Sequence, residues 1–502
     1  MPMGRRSSSA DRTRLRKAPR QASDTPTGAE AGSKVRYARV QGTKGIPPAV
    51  TAGMLWPWVC GTAVAFVAFV ALDQFVLHPG VLTTFNGLEP LSPLYAFVVP
   101  KFRPSAALFV LLAVSCGLLL PRLISPRVSA PWFAAALFIL SLSLPLTLFL
   151  VRDDLAQLGS QFLIYQGEEY FDDAARINDL EQFVSHYTEL APQLSLHGRV
   201  HPPGFATFLY AVGHGVSPTP MAAGVAVLLV FAAGTVFAWR AFALVLDDRT
   251  ARIAALSLLA APSLLDFACT SMDAVFYGAG SLVLLAAFLS LSDHERWWHG
   301  VLTGVALYLA LFCSFSAVLL GLFIALYGAL RWWDRRSLRV PLHLCLASLS
   351  FAVVYAVVRY GAEFDLWESF RVAKSQHYQL MGEVIGRSVA SVYLPTTFGN
   401  IAAFLIGAGI AIVPLFLRGA RNAVTPLGSR SLFIATSATL AVICAGGLYT
   451  METERILMFA VPWLTVAAAS ATTPLSDSAV VLLIGLGWAQ AFAMEGFLFT
   501  LW

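Results

Sequence analysis

Residues Met221 to Leu246 read MAAGVAVLLVFAAGTVFAWRAFALVL, and Arg240 is the one charged side chain among them. A bilayer's hydrocarbon core takes about 20 apolar residues of helix. Inside it the backbone must satisfy its own polar groups, so this run predicts a membrane-spanning α-helix. Similar runs recur along the whole 502-residue chain. The mean hydropathy is +0.69. Hydrophobic residues make up 57% and charged residues 13%, against about a quarter charged in soluble domains. A water-soluble enzyme is excluded, and so is a disordered chain except at one end.

Thirteen candidate spans follow, at 54–77, 105–121, 131–151, 221–246, 253–270, 273–292, 299–315, 316–333, 340–360, 396–417, 431–449, 456–473 and 479–500. The expected fold class is all-α: a polytopic transmembrane helical protein with amphipathic interfacial helices in two outside loops. The first 45 residues hold eleven Lys/Arg and three Asp/Glu, a net of +8, so the remainder sums to −3. That tail reads as disordered, cytoplasmic and able to touch anionic headgroups. It is too long and basic for the start of a simple cleaved signal peptide. No nucleic-acid partner is expected. Residues 46–130 read as N-terminal spans, 131–475 as the functional membrane module and 476–502 as a final span.

Orientation follows from the basic loops. With the tail inside and the spans alternating, Arg122, Arg127, Arg249, Arg252, Arg296, Arg331, Arg335, Arg336, Arg339, Arg418, Arg421 and Arg430 all fall inside, and Trp502 falls outside. This requires the short apolar piece 204–217, followed by Pro218 and Pro220, to lie at the interface rather than cross. Two long loops, 152–203 and 361–395, are then outside. The six cysteines are scattered through apolar runs without metal spacing and read as small buried side chains.

The chemistry-bearing residues concentrate outside. The first loop carries nine acids, among them Glu168, Glu169, Asp172 and Asp173. Ile177, Leu180, Val184, Tyr187 and Ala191 form a helical stripe over 172–191. Asp172 and Asp173 then open an amphipathic helix, where acids also serve simply to cap it and complement its dipole. His201-Pro202-Pro203-Gly204 forces an extended backbone, which argues against a helical zinc pair of His197 and His201. In the second loop Arg371, Lys374, His377 and Tyr378 share one helical face, suited to a phosphate or to a solvated surface. Glu452-Thr453-Glu454-Arg455 lies at the outer mouth of a late span, where charges also merely snorkel.

These features resemble the GT-C superfamily of polytopic glycosyltransferases. The paired acids lie in a long outside loop. His201-Pro202-Pro203-Gly204 is similar to the His-Pro-Pro-Leu element of protein O-mannosyltransferases and their bacterial relatives, with Gly204 in place of the Leu. Glu454-Arg455, followed by Pro462, is similar to a late Glu-Arg element of bacterial members. The likeness covers roughly residues 130–475. It implies an inverting transfer of a sugar from a polyprenyl-phosphate donor to a glycan, lipid or protein acceptor at the non-cytoplasmic face of a cell-envelope membrane. It implies a catalytic carboxylate, Asp172 or Asp173, as general base. Arg455, with Lys374 and Arg371 behind it, would compensate the leaving phosphate. Glu168, Glu169, His201, His377 and Glu454 complete the implied substrate-binding set. A divalent cation held by the acids is compatible with it. A secondary transporter, which sets ionisable groups at mid-membrane, and a non-catalytic membrane scaffold are the competing functions.

Overall fold

A computed structural model describes residues 49–77, 89–163, 169–292, 296–385, 389–422, 427–446, 449, 452–471 and 474–500. The basic tail, Glu168 and Trp502 lie outside the described residues. The chain is all-α and polytopic. Helices α1 (Ala52–Leu72), α2 (Ala106–Leu123) and α3 (Ala130–Phe149) lead into the first long loop, which folds into α4 (Tyr170–Ala175), α5 (Leu180–Ser185) and α6 (Tyr187–Leu190). Then come α7 (Gly204–Gly215), α8 (Pro220–Phe242), α9 (Asp248–Leu258), α10 (Pro262–Asp266), α11 (Asp273–Ser290), α12 (Trp297–Cys313), α13 (Ala317–Arg335) and α14 (Arg339–Gly361). The remainder is α15 (Leu366–Ile385), α16 (Val389–Ala408), α17 (Val413–Asn422), α18 (Leu427–Ala445), α19 (Thr453–Ile456), α20 (Val461–Ala471) and α21 (Asp477–Phe497). Among the described residues nine helical segments are long and apolar enough to cross a membrane, or ten with one bent pair counted as a span.

The centre of the bundle is α11 and the segment Thr453–Ala471, each with 72% of its apolar stretch buried in protein; the corresponding figure for α14 is 11%. The hub helices therefore owe their place to neighbours, while α14 faces lipid over most of its surface. Cys60 and Cys345 are exposed on α1 and α14 rather than buried.

Two expected spans are broken, and one helix serves both breaks. The run 253–270 divides at Pro262, which cannot continue a helix, into α9 and α10; Leu258 to Leu265 are buried by protein. The run 396–417 divides after Ala408, and its halves meet at 109°. A freed backbone group inside a membrane must find another partner. Trp488 Nε1 of α21 donates to Leu259 O at 2.6 Å. Gln490 of α21 accepts from Ile410 N and donates to Ile406 O, both at 2.9 Å.

Buried arginines mark the two ends of the bundle. At one end Arg252, 2% exposed, donates to the carbonyls of Leu123, Ser125 and Val128 and pairs with Asp248. Arg249 pairs there with Asp477. At the other end Arg152 donates to Val99 O and Glu495 O. It thereby ties α3 to a two-stranded antiparallel ribbon of β1 (Phe97–Val98) and β2 (Leu498–Phe499). The run 253–270 still carries the chain between the ends, from Arg252 to Ser271 beside Arg455. The twelve-residue α7 leaves and returns at the Arg152 end, where Gly159 packs on Pro220 as α8 begins.

Candidate functional site

The first long loop is not one helix over 172–191. Asp179 accepts from Gln182 N and so caps a new helix, α5, instead of continuing α4. The apolar stripe survives the breaks: Ile177, Val184, Tyr187 and Ala191 are buried. The prolines act as expected, with His201 extended at φ −121° and ψ 163° and α7 starting after Pro203.

Arg455 is the centre of a polar cluster at the Arg152 end. Glu452, in a left-handed conformation at φ 59°, caps α19 and takes the backbone N–H groups of Arg455 and Ile456. The Arg455 guanidinium then meets Glu452 Oε2 at 2.6 Å, Asp273 Oδ2 at 3.5 Å and Ser271 Oγ at 3.4 Å. Asp273 opens α11, where the helix dipole favours a carboxylate, and Ser271 Oγ donates to it at 2.9 Å. The side chains of Arg455, Asp273 and Glu452 are 11%, 13% and 14% exposed, so their charges interact in a medium that screens them poorly.

The first loop supplies the opposite wall. Glu169, 8% exposed, approaches His197 Nδ1 at 3.5 Å. The ring of Tyr170 lies 5.8 Å from those of His197 and His201 and 5.1 Å from Phe205. Burial draws the His197 imidazole down, but the hydrogen bond and charge of Glu169 outweigh it, and the net shift is upward. His201 goes the other way. Burial, joined by His197, Arg455 and His377, overcomes Asp273 and lowers it to about 4. The half-buried His377 of α15 is also lowered by burial. Two adjacent histidines thus favour opposite protonation states because only one has a carboxylate against its ring.

Of the residues singled out from the sequence, the structure gathers Glu169, His201, His377 and Arg455. It turns others elsewhere. Asp173 is 1% exposed, and both its oxygens accept from Ser195: from the backbone N–H at 2.9 Å and from Oγ at 2.6 Å. Burial raises its pKa, and the Ser195 bonds and Arg176 oppose that. Asp172 is half-buried on the first turn of α4. Glu454, 3% exposed, faces away from its neighbour Arg455 into a small pocket shared with Asp266 and Glu495. Arg371 and Lys374 lie on the outer face of α15: Arg371 is 62% exposed, paired with Glu368 and set over the Trp367 ring, and Lys374 is over Tyr378. Glu168 lies outside the described residues. Asp273, Glu452 and His197 were not among the expected site residues. The available signals were Glu452 three residues before Arg455, one helical turn away, and an acid opening a helix after a proline break.

Among the described residues no three His, Cys, Asp or Glu side chains converge as metal ligands.

No family model and no curated protein matches the chain. Two solved structures are similar to it. One is ArnT from Cupriavidus metallidurans bound to undecaprenyl phosphate, at 15% identity over 73% of this chain and 78% of that one, with a TM-score of 0.33. The other is the same protein in the apo state, at 15% identity over 64% and 73%, with a TM-score of 0.28.

Proposed function

We propose that the chain is an inverting membrane glycosyltransferase that moves a sugar from a polyprenyl-phosphate donor to an acceptor hydroxyl at the non-cytoplasmic face. The observation that carries this reading is the cluster itself. Glu169, Asp273 and Glu452 meet Arg455, His197 and His201 from segments far apart in sequence, all within 131–475. Charge supports this facing. Arg249 and Arg252 lie at the end opposite the cluster, and basic loops stay in the cytoplasm.

Asp273 is the proposed proton acceptor. It takes the proton of the acceptor hydroxyl as that oxygen bonds to the anomeric carbon. The bond from that carbon to the phosphate oxygen breaks, and the lipid phosphate leaves with the electron pair. Arg455 compensates the charge that grows on the phosphate. His197 and His201 line the place of the sugar. The neutral ring of His201 accepts a hydroxyl hydrogen there, as a protonated ring would not. Arg371 and Lys374, exposed on α15, are placed to meet the donor phosphate as it arrives at the rim.

The test is incubation of the purified protein in lipid nanodiscs with a panel of radiolabelled polyprenyl-phosphate sugars and hydroxyl acceptors. The wild type transfers one of them, Asp273→Asn loses on the order of 10²–10⁴-fold in rate, as removal of a general base does, and Arg455→Lys retains more than Arg455→Ala. Asp172→Asn, run alongside, tests the half-buried carboxylate of the paired-acid motif. A folded wild type inert toward every donor sinks the reading.

A further inference from the structure

The paired-acid motif makes Asp173, with Asp172, a candidate base, yet its surroundings point to another task. We infer that Asp173 is a positioning residue that clamps the 195–201 segment, and with it His197 and His201, against the rest of the site. The inference rests on the glycosyl-transfer reading only for the reaction it serves.

Three contacts make the clamp. Asp173 takes both hydrogens that Ser195 offers, and hydrogen bonds to an ionised carboxylate are roughly twice as strong as neutral ones. Ser195 Oγ, its hydrogen committed to Asp173, accepts from Gly198 N at 3.0 Å. The Tyr187 hydroxyl lies 2.7 Å from Gly198 O and 2.6 Å from His201 O and shares its one hydrogen between them, fixing the segment from its other side. Gly198 completes the fit, because a Cβ there would overlap Asp173 Oδ2. Residue 198 must lack a side chain for the carboxylate to sit where it does.

The clamp shares the start of α4 with the site. Glu169 is the extended residue that precedes α4, and Asp173 lies on the helix's first turn. Glu169 holds the His197 ring, and Asp173 holds the backbone two residues before it. The same short stretch thus fixes this segment at both its backbone and a reacting-face side chain. To accept a substrate proton, Asp173 would have to release Ser195 and leave a serine and a backbone N–H buried without partners, which is costly. Its 1% exposure leaves a substrate no approach short of that movement.

Asp173→Asn, Ser195→Ala and Tyr187→Phe test this in the full-length protein in nanodiscs. Each is expected to raise amide hydrogen exchange over residues 195–201 on the order of tenfold, the effect of one lost buried hydrogen bond. Each raises KM for the lipid-linked donor by a similar factor, with kcat changed far less. The double variant Asp173→Asn with Ser195→Ala is no worse than the poorer single, because both break one link. The inference is overturned if Asp173→Asn abolishes kcat while Ser195→Ala and Tyr187→Phe turn over normally and exchange over 195–201 is unchanged in all three. That pattern identifies a proton acceptor. The exchange arm needs no turnover, so a wild type without transferase activity defeats the functional reading and leaves the clamp to be judged on exchange alone.

Discussion

Gly204 stands where the resembling motif has leucine, and the structure gives a reason that a single substitution can probe. Gly204 opens α7 and is buried. A Cβ there would overlap the carbonyl oxygen of Phe312 and lie 2.7 Å from its carbonyl carbon and 2.8 Å from Cys313 Cα. These are backbone atoms at the end of α12 and cannot rotate away. Ordinary carbon contacts are about 3.5–4.0 Å, so Gly204→Ala forces α7 and α12 apart by about 1 Å. Overpacking of this kind costs about 1–3 kcal/mol. The helix-propensity gain of alanine over glycine, at most about 1 kcal/mol and less at a first turn, offsets part of it. The expected net loss is about 1–2 kcal/mol, and Gly204→Leu loses more. The displacement reaches His201, three residues earlier, and an error of about 1 Å in placing a site residue costs on the order of 10²-fold in rate. Thermal unfolding followed by tryptophan fluorescence, with donor turnover on the same samples, measures both effects. A Gly204→Ala protein with wild-type midpoint and wild-type turnover would show that the helices do not depend on this close approach.

Three further outcomes are expected. Acidification exposes the buried His201. Because its folded pKa is lowered to about 4 from 6.5, the unfolded chain binds the extra proton first, so stability falls as pH drops from 6.5 toward 4 by on the order of 3 kcal/mol. Thermal midpoints of wild type should therefore fall more steeply over that range than those of His201→Gln, and parallel curves would contradict the assignment. Arg252→Met strands the three carbonyls that Arg252 binds and should lose about 3 kcal/mol, read as a lowered unfolding midpoint; a loss within about 0.5 kcal/mol, the range of ordinary surface changes, would mean the turn at 123–128 holds without it. Arg371→Ala with Lys374→Ala should stay within about 0.5 kcal/mol of wild type, since both are exposed, whereas Arg455→Ala, which leaves Asp273 and Glu452 without their shared cation, should lose about 3–5 kcal/mol in the same unfolding assay; similar losses in the two proteins would contradict the placement of these charges.

Much of the helical architecture was legible because apolar runs obey rules that operate residue by residue. The length of 204–217, with its two following prolines, was enough to place it as a non-crossing piece. What was not legible depended on direction. Pro262 was visible inside 253–270, but its break is tolerated only because Trp488, far along the chain, fills it. The stripe over 172–191 named the buried side chains correctly and missed the caps that divide the helix. Adjacent acids in a motif do not say which way a turn faces, so the sequence could not show that both oxygens of Asp173 accept from Ser195. Glu454 and Arg455 formed one motif in sequence, yet neighbours on a helix diverge by about 100°, and they serve opposite sides of α19. Asp273 escaped notice because its partner, Arg455, lies across the bundle.

The two rungs that α21 lends to the broken segments have a bearing on biogenesis. Trp488 and Gln490 sit within one turn of each other, and between them they answer polar groups orphaned in α9–α10 and in α16–α17. Neither bent element is complete when it leaves the translocation machinery, because its missing donor or acceptor has yet to be synthesised. Neither kink has its full set of hydrogen bonds until α21 packs against it.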